Sequence, residues 1–289
     1  MNYLEIIKSM RPQQWIKNLF IFAAILFSKN IFNPNMFLKT ISAFFIFCFI
    51  SGSLYIFNDI IDSDVDKLHT IKSKRPIPSG RLKKSQAFLF FVIVSISSLV
   101  LALILNKNFF IVSLIYFILQ IGYSLYFKHV IILDVFIIAA NFLIRVIAGA
   151  VVIEVYISPW LIICTMLLSL FLAMSKRRHE IVLLGENAAN HRVILAKYSP
   201  YLLDQMISVV TSSTVIVYCL YTISAETVAK VGTINLIYTV PFVLYGILRY
   251  LYLVHQKLEG GSPENLILKD KALLLNIILW GISVILIVY

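Results

Sequence analysis

The sequence predicts an all-α integral membrane protein of nine transmembrane helices, with its chemistry at the cytoplasmic membrane face. Three observations carry this reading. Of the 289 residues, 60% are hydrophobic and 13% are charged, about half the charged share of water-soluble domains. The apolar residues fall in long continuous runs, as spanning helices require, and not in the short alternating segments of a β-barrel. The lysines and arginines collect on one side of the runs.

The spans fall in order at 16–33, 37–57, 86–105, 109–127, 131–153, 160–175, 201–223, 234–254 and 271–289. All but the sixth have the 17–25 residues that cross a bilayer, and the sixth falls one short. The first follows a charged stretch holding Glu5, Lys8, Arg11 and Lys17. The second runs into an acidic string, the fourth ends at Tyr123 and Tyr126, and the sixth ends at Lys176–Arg178. With the N-terminus inside, 20 of the 25 Lys and Arg are cytoplasmic, four are outside, and Arg145 lies within a helix. This asymmetry sets an N-in orientation in the inner (plasma) membrane. The N-terminus lacks the small-residue cleavage site of a signal peptide. No polar stretch is long enough for a separate soluble domain, so residues 1–289 read as one membrane domain.

A net charge of +11 would point to nucleic acid in a soluble protein. Here its one-sided placement is the positive-inside pattern, and no nucleic-acid partner is expected. Cys48, Cys164 and Cys219 lie far apart in apolar runs, and the five histidines lack ligand spacing. An oligomer is compatible with the sequence.

The chemistry concentrates in two cytoplasmic loops. The first, Asn58–Ser85, carries four aspartates and seven Lys/Arg. If the second helix continues through it, Asn58, Asp59, Asp62 and Asp66 share a face at i,i+3 and i,i+4 spacings. Carboxylates stacked this way repel unless a cation neutralises them. Oxygen-only ligands suit Mg2+, which takes one or two carboxylates plus substrate phosphates. The basic run that follows, Lys72, Lys74 and Arg75, is placed to hold phosphate oxygens. Solvated charges at a helix end are the plainer reading of any single aspartate. The whole string followed by Lys74-Arg75-Pro76-Ile77-Pro78-Ser79-Gly80 is harder to read that way.

At this point the chain resembles a family. Asn58, Asp59, Asp62 and Asp66, followed by residues 74–80, resemble the first aspartate-rich motif of the UbiA prenyltransferase superfamily. Residues Met10-Arg11-Pro12-Gln13-Gln14-Trp15-Ile16-Lys17-Asn18 resemble one branch in particular, the decaprenyl-phosphate phosphoribosyltransferases. Tyr123-Ser124 with Phe127-Lys128-His129, residues 142–149, and Ser175-Lys176-Arg177-Arg178-His179-Glu180 are similar to the same branch. The resemblance implies a UbiA-like bundle of nine helices that binds a diphosphate through Mg2+. It also implies Asp59, Asp62 and Asp66 as catalytic residues, with Asn58 joining them at the metal, and a product that feeds arabinose-containing envelope glycans.

Family members that move isoprenyl groups carry a second aspartate motif after the sixth helix. This chain has Lys176, Arg177 and Arg178 there, with Glu180 as the one acid. Phosphoribosyl pyrophosphate carries a further phosphate that such a cluster could bind. The same three residues also suit an ordinary positive-inside helix end.

Further substrate-binding candidates are Arg11, Gln14, Lys17 and Asn18, where the first helix enters the membrane. Read as an α-helix, Gln14 and Asn18 share a face, with Arg11 and Lys17 near it. That face suits a lipid phosphate, and it equally suits interfacial anchoring beside Trp15. Tyr126, Lys128 and Asp134 complete the set near the inner face. Asp134, Asn141 and Arg145 line one stripe of the fifth helix, with Arg145 about 16 Å deeper than Asp134. Arg145 reads as either functional or structural.

The expected reaction transfers 5-phosphoribosyl from phosphoribosyl pyrophosphate to a polyprenyl phosphate. The alternative is transfer of an isoprenyl group to an aromatic or other acceptor, which would need the second acidic cluster. A transporter would place its functional groups at the midplane.

Overall fold

The computed structural model describes residues 3–67, 72–185, 193–257, 260–261 and 263–289. Stretches 68–71 and 186–192, parts of the two charged loops and including Arg192, lie outside the described residues. The described residues form helices without a strand, in two compact units, Met1–Ile157 and Ser158–Tyr289.

The first unit opens with α1 (Tyr3–Ser9). A 3-10 segment (Pro12–Phe22) then runs into α2 (Ala23–Phe27). Next come α3 (Pro34–Ile61), α4 (Ser63–Asp66), α5 (Lys84–Leu105), α6 (Lys107–Leu125) and α7 (Leu133–Val152). Local sequence sets the starts. Asn33 Oδ1 accepts from the backbone N–H groups of Asn35 and Met36 at 3.1 and 3.2 Å, and Pro34 occupies the first turn of α3. Asn106 caps α6 through Phe109 N–H at 3.0 Å. The core centres on Phe47, packed on Tyr116 and Phe109 with ring centroids 5.0 and 6.0 Å away.

The 3-10 segment changes the expected facing of the first span. A 3-10 helix has three residues per turn, so residues i and i+3 eclipse. Burial follows that period. Asn18 and Ile21 are buried behind half-buried Trp15, while Gln13, Ile16 and Leu19 are exposed. Arg11, Gln14, Lys17 and Phe20 form the third, half-buried row. Gln14 and Asn18 therefore do not share a face, contrary to the α-helical expectation. The segment and α2 together are long enough to cross a bilayer. Eleven residues at about 2.0 Å and five α-helical residues at 1.5 Å reach about 30 Å, a bilayer core. Gly149 of α7 permits its close approach, because a Cβ there would stand 2.0 Å from the Ile21 carbonyl oxygen.

The second unit holds α8 (Pro159–Leu184), α9 (Pro200–Ile223) and α10 (Ala225–Val231). After a short 3-10 turn (Asn235–Thr239) come α11 (Val240–Gln256), α12 (Pro263–Lys269) and α13 (Lys271–Val288). Tyr218 OH meets Thr239 Oγ1 at 2.7 Å and accepts from Trp280 Nε1 at 2.9 Å, tying α9 to the start of α11 and to α13.

Among the described residues, eight helical stretches are long and apolar enough to cross a membrane. They match eight of the nine predicted spans, and the composite Pro12–Phe27 stretch occupies the ninth. The chain is a multi-pass membrane protein.

Candidate functional site

The acidic string is the end of a helix, so the condition for its side chains to share a face is met. α3 runs to Ile61, and Asp62 and Asp66 keep the register through backbone bonds Asp62 N–H to Asn58 O (2.9 Å) and Asp66 N–H to Asp62 O (2.8 Å). Asp59 and Asp66 are buried, at 0% and 3% exposure. Asp62 is partly exposed. Asp64 points away, exposed and paired with Lys67 and Lys84 at 2.9 and 3.0 Å. Those two lysines hold its carboxyl below the usual carboxylate range.

Basic side chains from three parts of the first unit converge on the buried carboxylates. Arg11, with φ of 52° where the chain turns from α1 into the 3-10 segment, bonds Asp59 Oδ1 and lies 4.9 Å over the Tyr55 ring. Arg75 Nη1 donates to Asp59 Oδ1 at 3.0 Å and to Asp66 Oδ2 at 2.8 Å. Lys72 lies 3.5 Å from Asp66. Lys128, from the turn after α6, lies 2.5 Å from Asp62 Oδ1. Asn58 is held from both ends, donating to Asp62 Oδ2 at 3.1 Å and accepting from Ser124 Oγ at 3.3 Å.

Three carboxylates thus face four cations, a net charge of +1. Two guanidiniums share one oxygen of Asp59. Burial, and then Arg11 beside it, lower the Arg75 proton affinity. An arrangement that crowds cations around buried carboxylates gains by admitting a further anion.

The donor set also fits a hard divalent ion. Asn58, Asp59, Asp62 and Asp66 offer oxygen only, and Asp59 Oδ2 is buried without a hydrogen-bond partner. Among the described residues no three His, Cys, Asp or Glu side chains form a ready-made metal cage. Mg2+ needs only one or two carboxylates from a protein when substrate phosphates supply the remaining ligands.

Other predicted site residues go elsewhere. Asn18 is 1% exposed and joins a second network, donating to Ser51 Oγ and Cys48 Sγ, both at 3.2 Å. It accepts from Arg145 Nε at 2.8 Å. Arg145 further donates to Asn141 O at 2.7 Å and Tyr116 OH at 2.9 Å. This network binds the 3-10 segment, α3, α6 and α7 together, the structural alternative for Arg145. Gln14 and Lys17 sit half-buried on the row below Arg11. Lys74 and Tyr126 are exposed, and Asp134 is fully buried in the first turn of α7.

In the second unit, α8 continues to Leu184, more than two turns past the predicted end at 175. Lys176, Arg177, Arg178 and Glu180 therefore lie on a helix and not in a loop. Arg177, 1% exposed, pairs with Glu180 at 2.9 Å, an i,i+3 contact. Lys176 is half-buried. Arg178 Nε donates to Asp204 Oδ1 at 2.5 Å, and His255 Nε2 meets the same oxygen at 3.1 Å. Asp204 stands near the start of α9, well apart from the basic cluster in sequence. No local signal could have joined it to partners 26 and 51 residues away.

Comparison with known proteins identifies the family and the fold. The profile of the UbiA prenyltransferase family matches residues 18–265. The chain is 31% identical to the decaprenyl-phosphate phosphoribosyltransferase of Mycolicibacterium smegmatis, over 95% of this chain and 89% of that protein. It is 31% identical to the enzyme of the same name from Corynebacterium glutamicum, over 98% and 86%. Among solved structures, a UbiA homologue from Archaeoglobus fulgidus bound to GPP and Mg2+ superposes with a TM-score of 0.74. Its identity is 20%, covering 98% of this chain and 99% of that one. This chain belongs to the UbiA prenyltransferase family.

Proposed function

We propose that this protein transfers the 5-phosphoribosyl group of phosphoribosyl pyrophosphate to the phosphate of a polyprenyl phosphate at the cytoplasmic face of the inner membrane. The observation that carries the reading is the convergence of Arg11 and Arg75 on Asp59, with Lys72 and Lys128 on its neighbours. Full-length similarity to proteins named for this reaction supports it.

Asp59, Asp62 and Asp66, with Asn58, would hold Mg2+ on the donor pyrophosphate. Bound there, Mg2+ supplies charge neutralisation for the leaving group. As donor phosphates enter, Arg75, Lys72 and Lys128 exchange carboxylate partners for phosphate oxygens, with the guanidinium making bidentate contact. The acceptor phosphate is already anionic near neutral pH, with a second pKa of about 6, and needs no strong general base. Its oxygen forms a bond to ribose C1 as the C1–O bond to pyrophosphate breaks, so one displacement inverts C1. Arg11, Gln14 and Lys17 lie at successive turns of one 3-10 row, stepping about 6 Å each into the membrane. That row carries the acceptor's phosphate at headgroup depth while its chain stays in lipid.

The test offers purified protein labelled phosphoribosyl pyrophosphate with polyprenyl phosphate, and separately a polyprenyl diphosphate with 4-hydroxybenzoate. Sugar label in the lipid phase with pyrophosphate release is expected. Prenylation of the aromatic acid instead would replace the reading with isoprenyl transfer.

A further inference from the structure

Glu5 is a carboxylate that the transfer reaction does not use, yet it is 4% exposed on a seven-residue helix outside the span matched by the family profile. A buried acid needs a reason. Its partners supply one. Lys8 Nζ donates to Oε1 at 2.8 Å, and Arg81 Nη1 lies 3.3 Å from Oε2, an ion pair by proximity without hydrogen-bond geometry. The bond from Lys8, one turn along, holds the Glu5 carboxyl below the usual range, so it stays charged.

Arg81 spends its other donors on one target. Nη2 donates to the Lys74 carbonyl at 2.5 Å, and Nε donates to Ser79 Oγ at 3.0 Å. Lys74 and Ser79 bracket the turn whose first residue is Arg75. Within it, Ser79 N–H bonds Arg75 O and Gly80 N–H bonds Ile77 O, each at 3.0 Å, and Gly80 takes φ of 79°. Ile77 and Leu82, 3% and 2% exposed, pin its apolar side to the core. The planar guanidinium of Arg81 thus ties both ends of the turn to α1.

We infer that the Glu5–Arg81 pair is a positioning strut that fixes the 74–80 turn and thereby aims Arg75 at the donor pyrophosphate, deepening the function proposed above and resting on it. A carboxylate on α1 orients Arg81, Arg81 clamps the turn, and the turn delivers the guanidinium that bridges Asp59 and Asp66. Without the strut, Arg75 keeps its charge and loses its aim.

The experiment measures binding of magnesium pyrophosphate to full-length protein in detergent by calorimetry, with melting temperature recorded beside it. Arg81→Ala is expected to weaken pyrophosphate about tenfold, the effect of a small misplacement of a binding group. Glu5→Gln, nearly the same shape, is expected to weaken it in the same direction by less. Arg81→Lys keeps the ion pair but cannot hold Lys74 O and Ser79 together, so it restores only part of the loss. In turnover, the loss is expected in KM for the diphosphate donor, with kcat and KM for the lipid acceptor unchanged. Unchanged pyrophosphate affinity in both Arg81→Ala and Glu5→Gln overturns the strut. So does a loss that tracks melting temperature and falls equally on both substrates. The identity of the group transferred by wild-type protein reports on the reaction alone, because the strut is read from pyrophosphate affinity.

Discussion

Lys128 Nζ lies 2.5 Å from Asp62 Oδ1 across 66 positions of sequence, so the turn after α6 closes the acidic end of α3. Asp62 is the least buried of the three site carboxylates, and Lys128 is its main cation. Removing the lysine takes away that partner and, under the proposed function, a ligand for incoming phosphate. Lys128→Ala is expected to lower kcat/KM by about 100-fold, the scale of one lost electrostatic contact in a site. Lys128→Arg should retain part of the rate. Steady-state transfer assays check both.

The aspartates divide by burial. A double Asp62→Asn, Asp66→Asn change is expected to abolish turnover while leaving a monodisperse, folded protein. Asp64→Asn is expected to leave turnover unchanged, because Asp64 is exposed and paired with Lys67 and Lys84. Near-normal transfer in the double variant would sink the metal assignment.

Arg145 holds Asn18 and Tyr116 in one buried network. Arg145→Met leaves their polar atoms without that partner, at about 1–3 kcal/mol for each unsatisfied group. The expected result is a melting temperature lower by several degrees, with kcat/KM of the surviving folded protein within about threefold of wild type. A rate loss without a stability loss would make Arg145 a substrate ligand instead.

Gly149 separates two backbones. Its Ala variant places a methyl carbon 2.0 Å from the Ile21 carbonyl, against backbone that cannot rotate away. Overpacking of this kind costs about 1–3 kcal/mol or more, so Gly149→Ala is expected to melt markedly earlier. Gly281→Ala on α13 is the control, since nothing lies within 4 Å of its Cβ position. Thermal unfolding in detergent reads both.

Asp270 caps α13 through Leu273 N–H at 2.8 Å and pairs with Arg249 at 2.7 Å. The bond from Arg249 holds the Asp270 carboxyl below its ordinary value. A carboxylate depressed on folding stabilises fully above its unfolded pKa of about 3.9, and that stability is lost as pH falls through the folded value. Asp270→Ala should therefore cost about 1 kcal/mol at pH 7, with less difference from wild type near pH 3. Asp270→Asn, which still caps, should lose less. Melting curves at the two pH values decide it.

Eight spans were legible because lipid demands long apolar runs, and the acidic face of α3 because i,i+3 and i,i+4 spacing survives to Asp66. The Arg11, Gln14 and Lys17 row was not legible at the right pitch. Over a stretch of mixed apolar residues, the burial periods of a 3-10 and an α-helix differ too little to separate by eye. The extension of α8 was hidden because charge reads as a loop. The pairing of Asp204 with Arg178 and His255 was hidden because contacts across helices leave no trace in spacing.

The winding of Pro12–Phe22 has a mechanical meaning. From Arg11 to Ile21 a 3-10 helix covers about 20 Å where an α-helix would cover about 15 Å. One end is fastened by the ion pair to Asp59 and the other is seated against Gly149. Under the proposed function the stretch is a ruler, setting the depth at which a lipid's charged end would meet the sugar donor.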